Sequence, residues 1–105
     1  MFGIFVLNLL GMASVYILFS ENLNKYYIGS CLDLEERLNS HKNKTFKNSF
    51  TSYTNDWFLF ISINELEYAQ ARKIEQHIKR MKSKIYIQNL QKYEEMQLKL
   101  VQRFL

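Results

Sequence analysis

With 105 residues, the chain has room for one modest core and not for two. Eight Phe and seven Tyr supply enough apolar surface to fold without staples, and the one cysteine, Cys31, excludes an internal disulfide and fits a reducing cytoplasm. A net charge of +4, no proline and three glycines describe a basic protein with long regular elements and few forced breaks.

The first nineteen residues are almost wholly apolar and uncharged, long enough on that count to span a membrane. A secretory signal is excluded because no basic n-region precedes the apolar run. Gly3, Asn8, Gly11 and Ser14 weaken a helix there, and from Val15 onward the residues follow a strand pattern. Without that strand about a dozen apolar residues remain, too few to cross a bilayer. Residues 1–13 therefore read as an apolar extension, with Met12 as an alternative initiator and no stable membrane association expected.

Val15, Tyr16, Ile17, Leu18 and Phe19 form a β-branched and aromatic run that predicts a buried strand. Residues 20–24 are turn chemistry, and 25–29 return as a second strand, giving a hairpin with a loop of about five residues. Tyr26 and Tyr27 are adjacent and so must point to opposite faces, one to the core and one away from it. Asp33, with Glu36 three positions on, opens a helix through a capping-box-like pair. On that helix Leu34 and Leu38 face the core, while Arg37 and His41 lie four apart on a neighbouring stripe.

The polar stretch 42–55 reads as a loop, and the apolar run 57–61 as a third strand, central or covered on both faces. Asn64 is expected to cap a helix over 65–81 whose buried stripe is Leu66, Ala71, Ile74, Ile78 and Met81, with Ile85 after it. A last amphipathic helix is expected over 88–104, with Leu90, Tyr93, Gln97, Leu100, Val101 and Phe104 at helical intervals. The order β-β-α-β-α-α is an α+β fold: a small three-stranded, mainly antiparallel sheet flanked by helices.

Charge is concentrated. Residues 37–50 carry Arg37, Lys42, Lys44 and Lys47 and no acid; residues 72–84 carry six basic residues, among them Arg72, Lys79 and Lys82, against Glu75 alone. Two such clusters suit a polyanionic partner, because phosphate contacts are mostly made by Lys and Arg.

Two tyrosine-bearing strand segments, Ser14-Val15-Tyr16 and Tyr27-Ile28-Gly29, are followed by Arg37 eight residues after Gly29, His41 four later, and Glu75 in the basic helix. In this order and spacing the chain resembles the GIY-YIG endonucleases in their small single-domain bacterial form. It is likewise similar to the nuclease module of bacterial excision-repair endonucleases. Ser14 replaces the glycine of the first element, and Asn89 is a candidate for the asparagine many members carry near the domain end. The resemblance implies a nuclease domain over 14–90, with the tail 91–105 packed on it as a helix. It also implies metal-dependent hydrolysis of DNA, duplex or branched, bound mainly through the backbone, and a place in DNA repair.

Under that resemblance Tyr16, Tyr27, Arg37, His41 and Glu75 are the catalytic set, and Glu75 holds one divalent cation, Mg²⁺ or Mn²⁺. A hard cation suits one carboxylate supplemented by phosphate oxygens and waters, and serves as Lewis acid toward the leaving oxygen. The planar fork of Arg37 fits non-bridging phosphate oxygens. Tyr16 is the expected general base or water positioner, on condition that nearby cations lower its pKa from about 10. Tyr27 and His41 orient the nucleophile or relay its proton. Gly29 lets the strand end approach substrate or helix by lacking a side chain.

Blander readings stand beside these. Strand tyrosines most often pack, Arg37 and His41 suit a solvated helix face, and Glu75 and Lys79 suit an i,i+4 surface pair. His77 and Cys31 are assigned no chemistry, and Trp57 is assigned to the core. At the level of function the alternatives are a non-catalytic nucleic-acid-binding module on the same fold and a small membrane-anchored protein.

Overall fold

The structure, a computed structural model, describes residues 11–42 and 54–105. The β-branched run forms strand β1 (Ala13–Ser20), which turns at 21–24 and returns as β2 (Lys25–Cys31). The two pair antiparallel, from Ser14 opposite Cys31 to Ser20 opposite Lys25. Asn24 closes the turn with a φ of 51°, a left-handed conformation that asparagine tolerates. Its carbonyl accepts a hydrogen bond from Lys84 Nζ at 2.6 Å. Asp33 then starts helix α1 (Leu34–Lys42) as expected, its Oδ1 accepting from the Glu36 amide at 3.0 Å.

The remaining elements are β3 (Phe58–Leu66), α2 (Tyr68–Met81), α3 (Lys84–Lys92) and α4 (Glu94–Arg103). The sheet order is β2-β1-β3, with both pairings antiparallel, so the expected α+β architecture is present. β1 is the central strand, however, and β3 lies at an edge, with Phe58 and Leu59 exposed. The apolar run that suggested a central strand owes its character to a bulge. Ile17 faces Ile61 while the next residue, Leu18, faces Leu59, so β3 carries an extra residue there. Phe60 and Ile61 can thus both reach the core side.

A second bulge sits further on. Val15 faces Ile63 and Ala13 faces Leu66, and Glu65 within the extra residue pair has a φ of 60°. Strict alternation after Ile61 and Ile63 would send Glu65 into the core. The bulge turns it to solvent and buries Leu66 instead, to 1% exposure. The strand therefore runs through the expected cap Asn64, and α2 begins at Tyr68. There the Gln70 side chain accepts from the Glu67 amide at 3.3 Å.

The expected tail helix 88–104 is two helices. Ser83 caps α3, its Oγ accepting from Tyr86 N at 3.1 Å, and Tyr93 takes an extended φ of −119° between α3 and α4. Tyr93 and Met81 are correspondingly half exposed, and Ile85, at 69% exposure, lies outside the buried stripe.

The helices divide between the two faces of the sheet. On one face Val15, Ile17, Ile61 and Ile63 pack under Ala71, Ile74 and Ile78 of α2, Ile87 and Leu90 of α3, and Leu100 of α4. Each of the Val, Ile and Leu side chains contributes roughly 1.5–3 kcal/mol on burial, which makes this face the main source of stability. Tyr26 joins it, its ring 4.7 Å from Phe19 and 5.1 Å from Phe60. The other face is covered by α1, where Leu34, Leu38 and Trp57 pack around Tyr16, Leu18 and Cys31.

A polar knot fixes the β1–β2 turn to the approach to β3. Asp56 accepts from Ser20 Oγ at 2.6 Å, Thr54 Oγ1 at 2.9 Å and the Asn22 amide at 2.8 Å. These bonds hold the Asp56 carboxyl below the usual carboxylate range, with Ser20 the largest influence.

Candidate active site

Alternation along β1 and β2 places Tyr16, Tyr27, Gly29 and Cys31 on the face beneath α1, where Tyr16 is the cross-strand neighbour of Gly29 and Leu18 that of Tyr27. One helical turn separates Arg37 from His41, so both reach down from α1 onto the same phenol. Tyr16 Oη lies 2.9 Å from His41 Nε2, and the Arg37 guanidinium hydrogen-bonds to the same oxygen. Tyr27 completes the cluster, its ring edge-on to His41 at 5.0 Å and 6.3 Å from the Tyr16 ring. Tyr16, Tyr27, Arg37 and His41, which the resemblance set apart, are thus gathered around one phenol. Tyr26 and Tyr27 divide between core and cluster as alternation requires.

Gly29 has a role other than the one expected. A Cβ on it would lie 2.5 Å from Tyr16 Cζ and Oη and 2.9 Å from Cε1. What approaches the bare Cα is therefore the phenol of Tyr16, which crosses β2 over this residue.

The electrostatics also depart from expectation. Tyr16 is fully buried, and burial raises its pKa above that of a free phenol. Tyr27 adds to the rise; Arg37 opposes it without reversing it. The condition attached to Tyr16 as an independent general base, a lowered pKa, is not met in this arrangement. His41 moves the other way: burial first and Arg37 second lower its pKa, so the imidazole is neutral at pH 7. Burial raises the Cys31 thiol, in keeping with an inert packing role.

Two clefts of about 300 Å³ flank this cluster. Arg37 opens to one of them together with Ser30, Ser40 and Tyr68. His41 opens to the other, whose walls include Trp57, Leu38 and Leu59. Trp57 is thus part of the smaller core and also a wall of a cleft.

Glu75 approaches from the opposite face. Because Gly29 faces α1, the next residue, Ser30, faces α2, and its hydroxyl donates to Glu75 Oε1. Lys79 Nζ is 2.6 Å from Glu75 Oε2, the i,i+4 pair that the sequence permits, and Arg72 Nε stands 4.0 Å from Oε1. Arg72 also donates to Tyr68 Oη at 3.1 Å. The four-residue cluster and the carboxylate therefore sit on either side of the dipeptide Gly29-Ser30. Among the described residues no three His, Cys, Asp or Glu gather as a metal site.

Of the other residues, Lys82 is the left-handed C-cap of α2, with its amide donating to the Lys79 carbonyl at 3.3 Å. Asn89 lies in α3, where its carbonyl accepts the Tyr93 amide. Lys44, Lys47 and the side chain of Lys42 lie outside the described residues. Ser30, Ser40 and Tyr68 were not found from the sequence. The signal for Ser30 was present, since the residue after a glycine facing one side of a strand must face the other. Tyr68 carried none, because the helix start was placed before it.

The site is thus a three-stranded antiparallel sheet whose first two strands bring one tyrosine each beneath an Arg and a His one helical turn apart. The profile of the GIY-YIG catalytic domain matches residues 12–101, most of the chain, and the protein belongs to this family; its domain is a nuclease domain. No curated protein and no solved structure was found to match it. Members of the family act on nucleic acid and generally use a divalent cation. Among the described residues no helix is long and apolar enough to cross a membrane; residues 1–10 lie outside them.

Proposed function

We propose that the protein is a DNA endonuclease in which Tyr16, Tyr27, Arg37, His41 and Glu75 form the site. The observation that carries this reading is the Tyr16 phenol held at once by His41 and Arg37 beside a cleft that Arg37 lines. In the cleft, Arg37 pairs with the non-bridging oxygens of the scissile phosphate, a contribution that for one such donor is roughly 2.7–4 kcal/mol. Tyr16 and His41 act as a unit. A phenol donating to a neutral imidazole becomes a base as its own proton passes to His41 Nε2, so the pair accepts the proton that the phenol alone would not. Tyr27 walls the pair and orients the attacking water.

Glu75 suits a hard divalent cation. Its side chain is 14% exposed, one oxygen is fixed by Ser30, and the other already attracts a cation in the form of the Lys79 ammonium. When bound, Mg²⁺ or Mn²⁺ would supply Lewis-acid stabilisation of the leaving oxygen. Arg72 and Lys79 beside Glu75, with Lys82 at the end of α2 and Lys42, Lys44 and Lys47 in the other basic cluster, supply backbone contacts. Binding through phosphates makes duplex or branched DNA an acceptable substrate with little sequence choice. Affinity then falls steeply with salt. A buried free thiol at Cys31 supports placement in the cytoplasm, and cleavage of branched DNA would serve a role in repair.

The test is plasmid nicking with Mg²⁺ or Mn²⁺, comparing wild type with Arg37→Ala and Glu75→Ala. Both variants are expected to lose cleavage. Unchanged cleavage by both would mean that the site is wrongly assigned. Absence of cleavage by wild type on duplex, flap, branched and single-stranded DNA would favour a binding module on the same fold.

A further inference from the structure

We infer that Ser30 is a positioning residue for the cation-binding carboxylate, an inference that rests on the reading of Glu75 as the metal ligand. The local geometry leaves Ser30 few alternatives. Gly29 is committed to the Tyr16 ring, so strand alternation turns Ser30 to the face where α2 crosses β2. There its hydroxyl donates to Glu75 Oε1, a contact spanning 45 residues of sequence. Ser30 also lines the cleft that Arg37 and Ser40 line, although Glu75 itself does not.

The two oxygens of Glu75 are thereby made unequal. Oε1 takes a directed neutral donor from a strand, with the Arg72 guanidinium at 4.0 Å, while Oε2 is held at 2.6 Å by a flexible ammonium whose side chain is 53% exposed. The Ser30 hydroxyl carries no charge to repel an incoming cation, so it can keep directing the carboxylate from Oε1 while a divalent cation replaces the Lys79 ammonium at Oε2. A glutamate freed of Ser30 would have to order its rotamers on each binding event. Hydrogen-bond partners of metal ligands that orient them in this way are typically responsible for about 10- to 100-fold in metal affinity.

The experiment is a Mn²⁺ titration followed by electron paramagnetic resonance, with a phosphorothioate DNA duplex present so that no cleavage intervenes. Wild type, Ser30→Ala, Ser30→Thr and Glu75→Gln are compared, with thermal unfolding recorded alongside. Ser30→Ala is expected to weaken Mn²⁺ binding about 10- to 100-fold, while Ser30→Thr, which keeps the hydroxyl, restores it. Should Ser30→Ala fold poorly, Ser30→Cys fills the same space with only a weak donor and must show the same loss. Wild-type affinity in Ser30→Ala or Ser30→Cys, with binding abolished in Glu75→Gln, would overturn the role of Ser30 and leave Glu75 as the ligand. Wild-type affinity in Glu75→Gln, or no binding by wild type, would remove the reading of Glu75 and the inference with it.

Discussion

Replacing Gly29 with alanine tests the geometry of the site most directly. The added methyl would meet Tyr16 Cζ and Oη at 2.5 Å and Cε1 at 2.9 Å, against an optimum of about 3.5–4.0 Å for carbon pairs. An overlap of roughly 1 Å must be relieved by moving either the ring or the backbone of β2. The ring has little room, because it is fully buried, bonded at Oη to His41 and Arg37, and flanked by Tyr27. Overpacking of this kind costs about 1–3 kcal/mol, which for a domain of this size lowers the unfolding midpoint by about 5–20 °C. No backbone strain adds to this, since Gly29 has no positive φ. Thermal unfolding by circular dichroism measures the effect, and a double-mutant cycle with Tyr16→Ala assigns it. In the Tyr16→Ala background the methyl has space, so the cost of Gly29→Ala should vanish and the coupling energy should exceed about 1 kcal/mol. An equal cost in both backgrounds, or a Gly29→Ala protein as stable as wild type, would refute the close packing of phenol on glycine.

Other expectations follow from individual contacts. His41 has its pKa lowered in the folded chain, so below about pH 6.5 the unfolded chain binds a proton that the folded one refuses. Stability is therefore lost as the pH falls from that point through the lowered folded value. Urea unfolding at pH 7.5 and 5.5 should show a smaller drop for His41→Gln than for wild type, His77 supplying a remainder of the same sign. Ser83→Ala removes the cap of α3 and should cost about 0.5–2 kcal/mol, read as a lower urea midpoint; a Ser83→Asp variant should recover it. Lys79→Gln breaks a pair whose lysine is largely exposed, so stability should change by about 1 kcal/mol or less. In the same Mn²⁺ titration Lys79→Gln should bind more tightly, because Glu75 Oε2 loses its resident cation; weaker binding would contradict that competition.

The sequence allowed some features to be read and hid others for identifiable reasons. The opposed directions of Tyr26 and Tyr27 and the placement of Arg37 one turn from His41 follow from fixed local periods of two and 3.6 residues, and the β1–β2 hairpin and the Asp33 cap from local turn and capping chemistry. What was lost depended on interruptions of those periods. β3 breaks alternation twice, so its apolar run resembled a central strand and its continuation past Asn64 resembled a helix. The tail divides at Tyr93 without proline or glycine, although Glu94 and Glu95 are the acids expected in a first helical turn. The protonation of Tyr16 was equally hidden. Its pKa is governed by burial, which depends on α1 closing over the sheet rather than on any neighbour in sequence.

The bulge at Asn64 and Glu65 is a spare residue count just ahead of α2. Removing one of the two would restore regular pairing, two steps on β3 against two on β1, with Leu66 still opposite Ala13 and still facing the core. α2 would then begin in its present phase, and Glu75 would still arrive at Ser30. Removing Ser62, where the pairing is regular, would instead exchange the two faces of the strand on one side of the cut. Deletion of Asn64 or Glu65 should therefore be far milder than deletion of Ser62.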